Sequence, residues 1–187
     1  MHYNLEKFSQ YYHETSDFLR GFQLPMWEDF PDIALYMDQL IILINRYLPF
    51  QENVKPVTAS MINNYVKLKL MPRPYKKKYD RSHLAYLVVI CSLKDALGMA
   101  VIQRIFPPNM EGEQLRERYN AFVRNQVKAY HFVADEADSV AIPLLQEERP
   151  DRIHDLVMQT AVSASVAKHL AECFSAQQTS DPPKKDS

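Results

Sequence analysis

Leu5, Phe8, Tyr12, Thr15, Leu19 and Phe22 recur at alternating three- and four-residue steps, the spacing of one apolar stripe on a helix that ends near Gly21. A connector, QLPMWEDFPD, follows and holds the only tryptophan, Trp27, beside Phe30; aromatics in such a proline-rich stretch are expected to pin it to the body of the domain. Ile33, Met37, Leu40, Ile41, Ile44 and Leu48 then repeat at helical period up to Pro49, with Asp29 or Asp32 as the expected cap. The polar face of this second helix is thin, so it is expected to be largely buried.

Thr58 is placed to cap a third helix from Ala59 to about Leu70. Ile62, Tyr65, Val66 and Leu70 share its inner face; Ser60, Asn63, Asn64 and Lys67 lie on or beside the outer one. Met71-Pro72-Arg73-Pro74 must leave the helix, because proline lacks the amide donor and restricts the residue before it. Tyr75-Lys76-Lys77-Lys78-Tyr79 then reads as a small strand or hairpin in the position of a wing. Asp80 caps a fourth helix with Leu84, Leu87, Val88, Cys91 and Leu97 at helical spacing, expected to stop at Gly98. Met99 to Phe106 supplies a short fifth helix, ended by Pro107-Pro108.

Pro107 to Gly112 is the expected boundary. Beyond it Leu115, Tyr119, Phe122, Val123, Val127 and Tyr130 mark a sixth helix, expected to break at the acidic segment Asp135 to Asp138. A last long helix runs from Asp151 to about Ala176 and is rich in small residues, which dimer packing and intramolecular packing explain equally well. The organisation expected is an N-terminal helical arm over residues 1–26, a second unit over 27–108, C-terminal helices over 109–176 that dimerise or sense, and a disordered tail over 177–187.

Charge changes this picture more than composition does. From Lys55 to Leu84 stand eight basic residues, Lys55, Lys67, Lys69, Arg73, Lys76, Lys77, Lys78 and Arg81, against one acidic, Asp80. That island carries +7 in a chain whose net charge is −1. A basic island on an otherwise acidic protein is the footprint of a site for phosphates or an acidic partner; a solvated charge run is the plainer reading. Hydrophobic residues make up 47% of the chain, enough for a real core, while only three glycines argue against glycine-rich phosphate loops.

Two distant cysteines, Cys91 and Cys173, read as core thiols of a reducing compartment. The N-terminus lacks a signal-peptide h-region and no apolar run is long enough to span a bilayer, so a cytoplasmic location without membrane partners is expected. Histidines 2, 13, 83, 131, 154 and 169 show no metal-ligand spacing, and no nucleophile motif occurs. No metal, no cofactor and no enzymatic activity are expected. His83 in a first turn reads as a surface or capping side chain.

The outer face of the third helix has direct chemical use. Asparagine can bond adenine N6 and N7 together, and lysine can reach guanine or phosphate. Ser60, Asn63, Asn64 and Lys67 are therefore candidate base-reading residues; Arg73, Lys76, Lys77, Lys78 and Arg81 are candidates for the phosphates, which set affinity and register. Tyr119, Phe122, Tyr130, His131 and Phe132 are either core or the lining of a pocket for a small-molecule effector of unknown identity.

The order of a Thr-capped helix, proline turn, basic wing ending in tyrosine, helix, glycine and short helix resembles the winged helix-turn-helix of the MerR-like regulators. Thr58, Ile62, Asn63, Tyr65, Leu70-Met71-Pro72, Lys77-Lys78-Tyr79, Leu84, Leu87, Ile90, Gly98-Met99 and Ile102 carry that resemblance. LYMDQ at Leu35 to Gln39, MINNYVK at Met61 to Lys67 and KKKY at Lys76 to Tyr79 are similar to a bacterial family catalogued as domain of unknown function 1836, over about Trp27 to Phe106. The MerR-like resemblance implies a mainly α, winged helix-turn-helix fold that binds double-stranded DNA as a transcriptional regulator. Its second helix would enter the major groove while the wing grips the backbone. Asn63 stands where those regulators usually carry arginine, and Tyr65 matches one of their tyrosines. A small module of this kind makes few contacts, so a homodimer across paired half-sites is expected. The alternative is an interaction module whose basic surface meets an acidic protein.

Overall fold

The computed structural model describes residues 3–48 and 55–177. The described residues form seven α-helices: α1 (Leu5–Gly21), α2 (Met37–Tyr47), α3 (Ala59–Lys67), α4 (Arg81–Leu93), α5 (Met99–Ile105), α6 (Gly112–Gln146) and α7 (Ile153–Ala176). Strands are absent among these residues; β structure is limited to two isolated bridges, Leu35 with Tyr79 and Tyr75 with Lys78. The chain is mainly helical, as its periodicity predicts. The expected tail falls, apart from Gln177, outside the described residues, as does most of the loop that precedes α3.

The core is built around α4. Its sequence from Leu84 to Cys91 has no polar face, and every one of those residues is buried. A helix apolar all round must be covered all round. Leu40 and Ile44 of α2, Ile62 and Tyr65 of α3, Ile102 of α5, and Leu115, Tyr119 and Val123 of α6 join it in one buried cluster. Met110 lies within the expected boundary at Pro107 to Gly112 and Leu115, Tyr119 and Val123 lie beyond it, yet all four belong to that same cluster. Tyr86 donates its hydroxyl proton to the Pro107 carbonyl at 2.8 Å and so fastens the link between α5 and α6.

The connector is pinned as its aromatics predict. Trp27 N–H donates to Asn120 Oδ1 at 2.9 Å, and Tyr119 donates to the Pro25 carbonyl at 2.8 Å. Glu28 receives Arg116 Nε at 2.6 Å, which holds the Glu28 carboxyl below its usual range.

Three local expectations are corrected. The second helix starts at Met37, with Tyr36 rather than an aspartate at its N-cap and Gln39 accepting the Tyr36 N–H. The Leu35 backbone is already committed to Tyr79, through bonds of 2.7 and 2.8 Å, so residues 33–35 stay outside the helix and Ile33 is 66% exposed. Gly98 does not stop α4, which ends at Leu93; it is the N-cap of α5. The acidic segment does not break the sixth helix. α6 runs 35 residues because Asp135 and Asp138 find partners on α1: Arg20 at 2.8 and 2.5 Å, with Tyr12 and Ser16 also on Asp138. Of the two readings of the α6 aromatic set, core or pocket, the core one holds for Tyr119, Phe122 and Tyr130, and the set does not gather into one pocket. Tyr119 is fully buried, Tyr130 stacks on Phe22 with centroids 3.7 Å apart, His131 meets the Arg20 carbonyl, and Phe132 is exposed.

Candidate nucleic-acid interface

Helix α3 is held at both ends. At its start Thr58 Oγ1 accepts the Met61 N–H at 3.3 Å. Just before it, Asn45 of α2 clamps the Val57 backbone: its Oδ1 accepts Val57 N–H at 2.7 Å and its Nδ2 donates to the Val57 carbonyl at 3.0 Å. At its end Leu70 N–H returns to the Tyr65 carbonyl at 2.9 Å and Lys69 N–H to that of Val66 at 3.1 Å. This is the Schellman closure, with Lys69 in the left-handed conformation that usually selects glycine. Gln103 of α5 then donates to the Lys69 carbonyl at 3.0 Å.

Ile62 and Tyr65 anchor the inner face; burial pushes the Tyr65 phenol up to about 12 and the Cys91 thiol below it up to about 11. That thiol is protonated at neutral pH and serves as core. Ser60, Asn63, Asn64 and Lys67 are all exposed, and none of their side chains is engaged by another described residue. Their spacing puts them on one side of a single rigid helix.

The segment expected as a wing forms no strand pair, only a bridged turn. Lys78 N–H donates to the Tyr75 carbonyl at 2.9 Å, closing a two-residue turn over Lys76 (φ 48°) and Lys77 (φ 62°). Two positive φ values in succession define the type I′ hairpin turn, for which Asn-Gly is the ordinary sequence. Lysine there costs about 1 kcal/mol per residue against glycine. Lys78 Nζ lies 5.2 Å from the centre of the Tyr36 ring, and Lys76 Nζ 5.2 Å from that of Tyr75. Arg73 and the three lysines are exposed, and no hydrogen bond or ion pair among the described residues joins them to α3.

Arg81 stands apart from the rest of the set. It is half-buried, donates from Nε to the Phe30 carbonyl at 3.1 Å, and reaches Asp32 at 3.9 Å. Beside it, His83 caps α4 as expected but is buried rather than on the surface. Its Nδ1 lies 2.7 Å from Asp80 Oδ1 and 3.1 Å from the Asp80 backbone nitrogen, while Nε2 has no partner among the described residues. The contact with His83 holds the Asp80 carboxyl below its usual range. Among the described residues no cluster of His, Cys, Asp and Glu is arranged to hold a metal, and no helix is long and apolar enough to cross a membrane.

Three features here escape a reading of the sequence. Lys69, Lys76 and Lys77 hold left-handed backbone, three of the four non-glycine residues that do so among those described. Tyr36 and Tyr75 are exposed aromatics beside the wing, Tyr75 at 75%. Asn45 positions α3. Only the Tyr-Lys-Lys-Lys-Tyr string hints at the second feature, and nothing local hints at the others.

Residues 25–130 match the family model described as Domain of unknown function (DUF1836), and the chain belongs to that family. No curated protein and no solved structure matches it.

Proposed function

We propose that this member of the family is a duplex-DNA-binding regulator of the MerR-like winged helix-turn-helix type, with α3 as the helix that reads bases and the turn at Lys76-Lys77 as a minimal wing. The observation that carries the reading is the backbone strain. Lysines occupy three left-handed positions where glycine is unstrained, and strained residues that persist point to a use for their side chains. An ammonium group that positions a phosphate is such a use. The free carboxamides of Asn63 and Asn64 suit adenine edges in a major groove. In this reading Ser60, Asn63, Asn64 and Lys67 touch bases, Arg73, Lys76, Lys77 and Lys78 touch phosphates, and Arg81 holds the connector in place.

A second reading rests on Tyr36, Tyr75 and Leu68, exposed aromatic and apolar side chains beside the lysines, a mixture that also suits an acidic protein partner. Fluorescence anisotropy with duplex DNA over a salt series separates the two. For a DNA-binding protein, affinity falls steeply with salt, and replacing Lys76, Lys77 and Lys78 by Ala weakens all sequences alike and flattens the log-log salt slope by up to about 3. Replacing Asn63 and Asn64 by Ala relaxes base preference instead. No duplex binding at low salt, together with stoichiometric recovery of an acidic protein, selects the second reading.

A further inference from the structure

Helix α7 is attached to the rest of the fold only near its two ends. Ile153 is buried at its start; near its end Ala171 packs on the core and Ser175 receives Arg104 at 3.2 Å. Between them all fourteen residues from Val157 to Leu170 are exposed. An isolated helix of that length is marginal in water even when alanine-rich, and six of these fourteen residues are Val, Ser or Thr, indifferent helix formers. Something outside the described fold must cover it.

Its surface pattern says what. Met158, Val162, Val166, Leu170 and Phe174 follow one another at steps of four, a single ridge of large apolar side chains; Val166 is 61% and Phe174 67% exposed. Ala161 and Ser165 lie in the parallel row on one side, Ser163 and Ala167 in the row on the other. A tall ridge between two low rows complements itself: the ridge of one copy drops into a groove of the next, the packing that crosses helices at about −50°. Met158, Val162 and Val166 face roughly opposite the anchoring residues Ile153, Ala171 and Ser175 and point away from the body, while the four-residue steps carry Leu170 and Phe174 round onto the flank. From Leu156 to Ala167 there is no charged residue to complement a charged partner, and none to repel an identical copy. The ridge residues, 50–67% exposed and spread over about 24 Å of helix, offer on the order of 500 Å² per copy toward the ~800 Å² per partner of an ordinary specific interface, and the flanking rows of small residues add to it.

We propose that the Met158, Val162, Val166, Leu170 and Phe174 ridge of α7 is a two-fold interface with a second copy of this chain. The inference stands independently of the nucleic-acid reading. In a two-fold contact the residue at the middle of the ridge meets its own copy, and here that residue is Val166.

Sedimentation of the full chain at micromolar concentration tests this. The chain is expected to be a dimer, V162E/V166E a monomer, and V162A/V166A a dimer weakened at least tenfold; T160E, on the flank away from the ridge, leaves the dimer intact. A V166C/C173S chain is expected to form a disulfide-linked dimer under mild oxidation. A monomeric wild-type chain, a dimer that survives both glutamates, or a dimer whose V166C/C173S form stays unlinked overturns the proposal.

Discussion

Helices α4 and α7 both lack a charged face along their middle thirds, yet α4 is enclosed by four other helices and α7 stands uncovered over fourteen residues. Both are largely uncharged there, although α4 is apolar on every side and α7 mixes Gln, Thr and Ser among its apolar residues; the surroundings are opposite. The difference teaches that an apolar helix specifies the need for cover and not the source of it. For α4 the same chain supplies the cover, through α2, α3, α5 and α6. For α7 the described residues do not, and in the dimer proposed above the self-complementary ridge takes the place of that cover.

Truncation breaks or sharpens that contrast most strongly. Leu87→Ala in α4 is expected to cost about 2–5 kcal/mol, read by chemical denaturation and identical at every protein concentration. Leu170→Ala in α7 is expected to lower the melting temperature only where the dimer is populated, so its effect grows with concentration. If both losses are independent of concentration, the contrast is wrong.

Smaller changes refine the α4 side. Asn45→Ala leaves the Val57 N–H and carbonyl without their partners and is expected to cost about 1–3 kcal/mol, with a proportionate loss of any DNA affinity that depends on where α3 sits. Lys76→Gly and Lys77→Gly act in opposite senses on two readouts. Each is expected to stabilise the fold by about 0.5–1 kcal/mol, because the left-handed turn no longer carries a Cβ; each weakens DNA binding. A stabilised variant that binds DNA as well as the parent would remove the reason for keeping lysine there.

The smallest effect concerns acid. The folded Asp80 carboxyl is held below its unfolded value by His83, so its contribution to stability is present above the ordinary carboxylate range and is lost as pH falls through the depressed folded value. Asp80→Asn is expected to flatten the acid limb of the stability profile below about pH 4, measured by thermal melts from pH 2 to 7, with α7 unaffected.

Much of this was legible in advance because it is local. Thr58 as a cap, Ile62 and Tyr65 as an inner face, Trp27 as a pin and Leu5 to Phe22 as a stripe follow from periods and side-chain chemistry that act over a few residues. Where the sequence misled, a distant partner had overruled a local preference. Tyr79 holds Leu35 outside the helix and delays α2; Arg20 and Tyr12 neutralise the acidic turn that would otherwise interrupt α6.

By itself the chain determined seven helical segments, a buried inner face for α3 and a basic island with its carboxamides on one helical side, since each rests on spacing and charge along the backbone. Only the tertiary structure decided that Lys69, Lys76 and Lys77 take left-handed backbone, that Arg81 serves the connector, and that α7 is left bare while α4 is enclosed. Those outcomes depend on which segments meet in space, and burial is a property of the assembled surfaces that no single stretch of sequence carries.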